Sequence, residues 1–378
     1  MAERRSDEHI EQVDRRRTGC VRGCVVPQGG KLRSVPDFSV RILADDLSGA
    51  ADCAASFTGA AGPIALLLRG DGRGEVQFAL DADTRALDPT VAAKRWQELG
   101  IASASDRDSM VFKKIDSTLR GNIAPELRAL LDAMPHVNMV VVAPAFPEQG
   151  RTVVNGRLYV RGEETNISLA GIGEVIRSAS DRPRSLVLGD ATEQSDLEGL
   201  VEGMGGPDAT TLWVGSSGLA RALAGAAPTK IEAGTLARPM LIVVGSFSPV
   251  AQRQVAAFAR EYPASVVKPG AARATLATRG VALVHLPFEA SAQASREKIA
   301  ALAGSVRDAA AACATLVMTG GDTARAMLDA LEVEELFIEG ELEAGIAVSA
   351  PVEPHAFRAV MKAGAFGDDD TLLRVAAA

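Results

Sequence analysis

Short apolar segments alternate with helical patterns along this chain from Ser39 onward. Strands that alternate with helices favour crossover connections, and therefore a mainly parallel sheet. In the first part of the chain the predicted strands are 39–45, 63–68, 77–82, 110–115, 138–143, 184–188 and 211–215. The predicted helices there are 48–60, 89–103, 121–134, 168–180, 195–204 and 216–225. The pattern predicts an α/β fold.

A second alternation begins after the segment Gly225–Pro239, which has two prolines and no strong pattern. Its predicted strands are 240–245, 280–286, 315–319 and 357–362, and its predicted helices are 249–262, 291–313 and 322–332. A chain of 378 residues is also longer than one ordinary core supports. We therefore expect two α/β domains, at 38–226 and 240–378, joined by a linker at 227–239 and separated by a cleft suited to a ligand.

Residues 1–37 show no sustained periodicity and are predicted to be a poorly ordered extension. They include Cys20 and Cys24, a spacing that is only a weak zinc motif without further Cys or His nearby. The chain has neither the apolar segment of a secretory signal nor a window of about 18 apolar residues that could span a membrane. Its net charge of −8 argues against a nucleic-acid partner. We expect a cytoplasmic protein without a structural metal or a membrane partner.

An acidic pair, Asp45 and Asp46, follows the first predicted strand, and small residues after Ser48 predict a helix. Ligands of open α/β sheets bind at this carboxyl end of the strands. Two adjacent carboxylates repel each other there, so a cation, a bound hydroxyl or hydrogen-bond donors would be needed to stabilise them. The structural alternative is that Asp45 ends the strand while Asp46 or Ser48 caps the helix. This stretch alone leaves both interpretations open.

A second polar turn joins the predicted strand 110–115 to the following helix. It combines two cations, a carboxylate, two hydroxyls and an amide, from Lys114, Asp116, Ser117, Thr118, Arg120 and Asn122. Such a turn offers backbone N–H groups to an anion, and Arg120 could hold a carboxylate or phosphate with two parallel bonds. An ordinary exposed turn is the alternative, but it would not need this density of charge.

Two further stretches fit the same edge of the sheet. Asp83 and Arg85 follow the predicted strand 77–82, and Arg151 ends the rigid loop Pro144–Arg151. Carboxylates accept hydrogen bonds from several hydroxyls and arginines hold an acid group, so the inventory fits a polyhydroxy acid. The loop could equally be a structural connector to the following hairpin, whose turn is predicted at Asn155-Gly156.

Three glycine-containing turns follow strands in the second half of the chain. They contain Ser246 and Ser248, then Gly320, Gly321, Asp322 and Thr323, and finally Lys362, Gly364 and Gly367. Glycines allow a ligand to approach the backbone closely, and helix N-termini stabilise phosphate. Each turn alone is a weak signal, but three in one domain suggest a nucleotide phosphate cradle. The P-loop motif, the Gly-x-Gly-x-x-Gly dinucleotide motif and the Gly-x-Ser-x-Gly motif are absent, which leaves phosphoryl transfer on a different scaffold.

Six segments occur in the order found in four-carbon acid sugar kinases, and the chain resembles that family from about Ser39 to about Gly367. They are Ala44–Ala50, Lys114–Asn122, Pro144–Arg151, Gly245–Ser248, Gly320–Ala324 and Lys362–Gly367. The Lys114–Asn122 segment is the most specific of them. The chain departs from the family in Ser48, where many relatives have threonine, and in a short region after Tyr159.

The resemblance implies an ATP-dependent kinase that phosphorylates the terminal hydroxyl of threonate, erythronate or a 3-oxo-tetronate. It implies that 38–226 binds the sugar acid and that 240–378 binds ATP, with Mg²⁺ bridging the phosphates and no metal site made by the protein. The expected catalytic residues are Asp46, Asp45 and Arg120, with either aspartate as the base. The expected substrate-binding residues are Asp83, Arg85, Lys114, Asp116, Ser117, Asn122 and Arg151. The expected nucleotide-binding residues are Ser246, Ser248, Gly320, Gly321, Asp322, Thr323, Lys362, Gly364 and Gly367.

Other functions remain compatible with the sequence. A kinase of another polyol acid would share these motifs, and a non-catalytic two-domain sensor of an acid metabolite would share the architecture. A nicotinamide enzyme is disfavoured by the missing dinucleotide motif. The sequence leaves the oligomeric state open, with a homo-oligomer among the options.

Overall fold

The computed structural model describes residues 39–377, except 73, 105–106, 179–183 and 289–295. The predicted extension at 1–37, with Cys20 and Cys24, lies outside these residues. The strands are β1 Ser39–Ala44, β2 Ile64–Leu67, β3 Phe78–Asp81, β4 Ser109–Lys114, β5 Met139–Ala143, β6 Arg151–Val154, β7 Arg157–Val160, β8 Glu163–Ser168, β9 Ser185–Leu188, β10 Thr211–Gly215, β11 Met240–Val244, β12 Val281–His285, β13 Thr315–Thr319, β14 Glu335–Glu343, β15 Ile346–Pro351 and β16 Arg358–Lys362.

The helices are α1 Leu47–Ala61, α2 Pro89–Ala104, α3 Ile123–Ala133, α4 Ala170–Ser178, α5 Gln194–Gly203, α6 Ser217–Ala224, α7 Pro249–Glu261, α8 Ala272–Arg279, α9 Arg296–Ala310, α10 Gly321–Ala330 and α11 Thr371–Ala376. The predicted helix at 291–313 corresponds to α9, and residues 291–295 fall outside the described part of the chain. None of the described helices has the length and apolar character needed to cross a bilayer.

The large sheet has 13 strands in the order β12-β11-β13-β16-β15-β14-β2-β3-β1-β4-β10-β5-β9. One parallel block runs from β2 to β9 and another from β12 to β16. The predicted α/β fold with mainly parallel strands is therefore confirmed. The two blocks are joined by β14 and β15, which pair antiparallel with each other and with their outer neighbours β2 and β16.

The sequence analysis missed this antiparallel hairpin and the helices α8 and α11. Glu335–Glu343 carries four glutamates and Gly340, which weaken the apolar alternation by which a strand is recognised. The predicted linker, 227–239, includes the short 3₁₀ helix Ala233–Thr235, and Lys230 forms a strand bridge with Glu341. The domain boundaries themselves stay a prediction.

Registers within the first block bring the predicted polar turns together. Ala44 at the end of β1 pairs with Asp81 on one side and with Lys114 on the other. Lys114 in turn pairs with Gly215 at the end of β10. The loops after these strands therefore leave the same edge of the sheet, as the sequence predicted.

The second block has the same arrangement, because Val244, Thr319 and Lys362 end adjacent parallel strands in register. Helix α1 is central to the structure and contacts β3, β14, α6 and α10. Four of its alanines, Ala50, Ala51, Ala54 and Ala55, and Cys53 are buried in the main hydrophobic core, which draws side chains from both blocks.

A separate sheet of three strands, β6-β7-β8, follows the loop at 144–151. The predicted hairpin is confirmed, with Asn155 and Gly156 at its turn in the left-handed region. The third strand, Glu163–Ser168, was not predicted, because its exposed polar sequence has no apolar face to mark it.

Candidate active site

A cavity of about 550 Å³ lies between the strand ends of the two blocks. The first block contributes Asp46, Arg85, Lys114, Asp116, Ser117, Arg120 and Arg151 from the predicted set. The second block contributes Ser246, Ser248, Gly320, Gly321, Asp322, Thr323 and Gly364. The predicted residues of the two halves thus meet around one space.

Asp45 and Asp46 have different surroundings in the structure. Asp45 is 2% exposed, and both of its oxygens accept hydrogen bonds from the Arg85 guanidinium, at 2.8 and 2.9 Å. Asp46 lines the cavity and caps α1, because its Oδ1 accepts the backbone N–H of Gly49 at 3.2 Å. Capping and a place in the site, which the sequence presented as alternatives, coincide in Asp46.

Charges around Asp46 hold it in its ionised form. Arg85 donates to Oδ1 at 2.7 Å, Ser48 donates to Oδ2 at 2.7 Å, and Lys114 lies 3.5 Å from Oδ1. Burial raises the pKa of the Asp46 carboxyl, but Arg85 and Lys114 outweigh it and leave the pKa below its usual range. Burial likewise lowers the pKa of Lys114, and Asp46 and Asp45 reverse the effect, so that the pKa is raised.

The turn after β4 is closed on itself by Asp116. Its carboxylate accepts two hydrogen bonds from the Arg120 guanidinium, each at 2.8 Å, and also binds the hydroxyl of Thr118. Burial raises the pKa of Asp116, but Arg120 and Arg85 hold it well below its usual range. The Arg120 side chain is 68% exposed, and its guanidinium already makes two parallel hydrogen bonds to Asp116. A ligand carboxylate bound by Arg120, as predicted, would therefore compete with Asp116.

Arg151 is a buried cation of the cavity lining, and its hydrogen-bond donors are only partly used by the described residues. It is 5% exposed, and its Nε is buried without a hydrogen-bond partner among the described residues. Its guanidinium lies 5.0 Å from the centroid of the Phe366 ring, which belongs to the opposite half. A buried donor without an acceptor is costly, so this atom is suited to a ligand anion.

Five of the predicted site residues are not among those that line the cavity. They are Asp45, Asp83, Asn122, Lys362 and Gly367. Asp83 pairs with Arg296 at 2.6 Å, and the amide of Asn122 donates to the carbonyls of Thr84 and Leu87. Lys362 is buried and donates to the carbonyls of Ala363 and Phe366. These side chains support the loops around the cavity.

The second wall consists of three closely packed turns. Gly320 has a φ of 103°, and Gly321 begins α10, whose first backbone N–H groups lie beside the cavity. A β-carbon on Gly364 would clash with the Ser246 side chain. Ser248 caps α7 and donates to the carbonyl of Gly364 at 2.5 Å. A helix N-terminus between glycine turns of this kind fits a phosphate group.

Other cavity residues were missed by the sequence analysis. They include Asp52, Phe146, Ser216, Ser217, Phe247, Arg296 and Phe366. Ser216 and Ser217 follow the predicted strand 211–215, so the strand-end rule that found Asp46 would have found them. Asp52 lies within an apolar helix, where periodicity predicts burial and gives no sign of a ligand site. Among the described residues, no cluster of three or more His, Cys, Asp and Glu side chains is arranged to hold a metal ion.

Comparisons with known proteins identify two matching domain models in this chain. Residues 40–170 match the model of a sugar-binding N-terminal domain, and residues 271–372 match that of a nucleotide-binding C-terminal domain. The chain is 31% identical to the D-threonate kinase of Cupriavidus necator, over 88% of this chain and 95% of that protein. It belongs to the four-carbon acid sugar kinase family. The resemblance inferred from the motifs is confirmed.

Further relatives of this four-carbon acid sugar kinase differ in their named substrates. A 3-oxo-tetronate kinase of Pseudomonas fluorescens is 27% identical over 87% of this chain and 94% of its own length. A D-erythronate kinase of Heliobacterium modesticaldum is 26% identical over 49% of this chain and 51% of that protein. A crystal structure from Salmonella typhimurium shares the fold, with a TM-score of 0.65, 21% identity and coverage of 89% of this chain and 98% of that one.

Proposed function

We propose that this protein transfers the γ-phosphoryl group of ATP to the terminal hydroxyl of a four-carbon sugar acid. The observation that carries the proposal is the meeting of two unlike walls around one cavity. A wall of buried charges at the ends of β1 and β4 faces a wall of glycine turns at the N-terminus of α10. The names of the relatives, D-threonate, D-erythronate and 3-oxo-tetronate kinase, support a four-carbon acid as the acceptor.

Arg151 is the residue best suited to the carboxylate of the acid. Its Nε lacks an acceptor among the described residues, whereas Arg85 and Arg120 already hold aspartates. A carboxylate at Arg151 would complete its hydrogen bonding without breaking an existing pair. Ser117, which lines the same cavity, offers a hydroxyl to the polyol part of the acid.

Asp46 is the acceptor for the reacting hydroxyl. Its lowered pKa means that it stays ionised at neutral pH, so it can orient the hydroxyl and accept its proton. Phosphoryl transfer depends mainly on positioning and charge stabilisation, which suits a weak but fixed base. Asp45 is less suited, because it is not among the residues that line the cavity and Arg85 holds both of its oxygens.

The nucleotide would be held by the opposite wall. The backbone of Gly320 and Gly321, the hydroxyls of Ser246 and Thr323, and the Gly364 turn surround the start of α10. Thr323 Oγ1 is buried without a partner among the described residues, which fits an additional acceptor from a ligand. Bound with the nucleotide, Mg²⁺ would neutralise charge on the phosphates. Lys114, between Asp46 and the α1 backbone, adds a positive charge to the acid-binding wall.

A substrate screen tests the proposal. ADP release is measured with ATP, Mg²⁺ and, in separate reactions, D- and L-threonate, D- and L-erythronate and their 3-oxo forms, with a reaction lacking acid as the background. We expect at least one acid to raise ADP release far above the background and to yield a product phosphorylated at its terminal oxygen by NMR. A flat response across all acids, or acid binding without ATP binding in calorimetry, would contradict it.

A further inference from the structure

Asp52 is a buried carboxylate of the cavity wall for which the mechanism above has no use. It lies on α1, is 5% exposed and lines the cavity together with Ser217. Its Oδ2 accepts the Ser217 hydroxyl at 2.5 Å, while its Oδ1 has no hydrogen-bond partner among the described residues. The carboxylate therefore has acceptor capacity that no described side chain uses.

We propose that Asp52 and Ser217 form a subsite that recognises a non-terminal hydroxyl of the acid substrate. A hydroxyl is the fitting ligand because it donates a hydrogen bond, which the unused carboxylate oxygen can accept, while Ser217 holds the other oxygen in place. A second carboxylate would be repelled by Asp52. The subsite thus distinguishes the polyol part of the substrate from its acid end. The inference rests on the proposed function and assigns specificity within it.

The groups around Asp52 decide its charge. Ser217 and Arg221 face it from α6, Glu341 from β14 and Lys114 from β4, and Cys53 is its neighbour on α1. Burial raises the pKa of Asp52 to about 6, against the Ser217 hydrogen bond and the charge of Arg221. The carboxylate is therefore mostly ionised at pH 7.5 and available as an acceptor.

A purely structural role is the alternative. Ser217 is the first residue of α6, and Asp52 could simply fix the contact between α1 and α6. That role would explain the hydrogen bond to Oδ2. It does not explain why Oδ1 is buried without a hydrogen bond from the described residues to offset the cost of removing it from water. The two roles predict different results when the hydroxyls of the substrate are removed one at a time.

The experiment compares threonate with 2-deoxy and 3-deoxy four-carbon acids, all of which keep the terminal hydroxyl. For the wild-type protein, we expect one deoxy acid to be used about 10- to 100-fold less well in kcat/KM, the usual effect of losing a hydrogen bond to a charged group. In Asp52→Asn this discrimination should fall to within about threefold, and Ser217→Ala should reduce it to a lesser extent. Ser56→Ala is the matched control, because the Ser56 hydroxyl on α1 donates to the backbone carbonyl of Asp52, so this variant leaves both oxygens of the Asp52 carboxylate in place.

Calorimetric binding of the same acids separates this inference from the proposed reaction. If the wild type binds threonate over a deoxy acid without turnover, and Asp52→Asn loses the preference, the subsite stands and the reaction is wrong. If both variants weaken all acids equally, or only lower the thermal unfolding midpoint, the role is structural and the inference is overturned. Failure of the wild type to bind any of the acids would overturn both.

Discussion

Asp46, the N-cap of α1, lies in direct contact with Gly321, the first residue of α10. A β-carbon built on Gly321 would lie 2.6 Å from Asp46 Oδ2 and 3.2 Å from Ser48 Oγ. Asp46 cannot easily move away, because Arg85, Ser48 and the α1 backbone hold its carboxylate. Position 321 therefore needs glycine, because a side chain there would clash with the Asp46 carboxylate. This contact links the start of α1 in the first half of the cavity to the start of α10 in the second half.

Gly321→Ala is expected to lower kcat by about 100-fold, because a displacement of the order of 1 Å in a reacting group has an effect of that size. The backbone of Gly321 is helical, so the protein should still fold. Steady-state kinetics and circular dichroism measure the two effects. Gly199→Ala in the exposed part of α5 is the matched control, because a β-carbon there meets nothing within 4 Å. Equal activity of the two variants would show that the contact is not needed.

The two adjacent aspartates should respond differently to the same substitution. Asp46→Asn keeps a good helix cap but loses the charge that faces Arg85 and Lys114, so we expect the unfolding free energy to fall by about 2 kcal/mol and kcat to fall by about 10²- to 10⁴-fold, the usual range for a general base. Asp45→Asn removes a buried carboxylate that accepts two hydrogen bonds from Arg85, but Arg85 keeps Asp46 as a partner, so the unfolding free energy should fall by about 2 kcal/mol with a much smaller loss of kcat. Urea unfolding and steady-state kinetics of both variants test this. Normal turnover by Asp46→Asn would remove Asp46 from the role of base.

Much of the fold and half of the acid-binding wall could be predicted from the sequence. The regular order of strands and helices located the ends of β1, β3 and β4, and these ends place Asp46, Arg85 and Lys114 together. The hairpin β14–β15 could not be predicted, because its glutamates hide the apolar face and β2, the partner of β14, is distant in sequence.

The division of labour within the site could not be predicted either. Sequence places Asp45 and Asp46 side by side, but only the fold shows that Arg85 occupies both oxygens of Asp45, whereas Asp46 gives one oxygen to Arg85 and lines the cavity. Lys362 is an instructive case. Its position after a strand suggested a ligand contact, whereas its ammonium group is turned into the protein and bonds two carbonyls of its own loop.

Phe366, in the loop after β16, packs against Arg151 from the opposite half of the cavity. Its ring lies 5.0 Å from the Arg151 guanidinium and packs edge-on against Phe146 at 5.8 Å. We expect Phe366→Leu to raise the KM for the sugar acid by about fivefold, because a partly buried cation–π contact contributes about 1 kcal/mol. Phe247→Leu is the control, since Phe247 lines the cavity but packs against Phe288. An unchanged KM for the acid, with only the KM for ATP raised, would mean that Phe366 does not act through Arg151.

Lys362 should make stability depend on pH. It is 1% exposed, and burial lowers the pKa of its ammonium group from its ordinary value of about 10.4 to about 7. Between about pH 7 and pH 10 the unfolded chain binds a proton that the folded chain does not, so this group adds stability as the pH rises through that window.

In Lys362→Met that contribution is absent. The unfolding free energy of the variant relative to the wild type should therefore fall by about 2 kcal/mol between pH 7 and pH 9, since one proton corresponds to about 1.4 kcal/mol per pH unit. Urea unfolding followed by the fluorescence of the buried Trp96 and Trp213 provides the measurement. Lys94→Met, on the exposed face of α2, is the control and should show no such change. A pH-independent difference for Lys362→Met would mean that the folded protein keeps Lys362 charged, with its two carbonyls sufficient to stabilise the ammonium group.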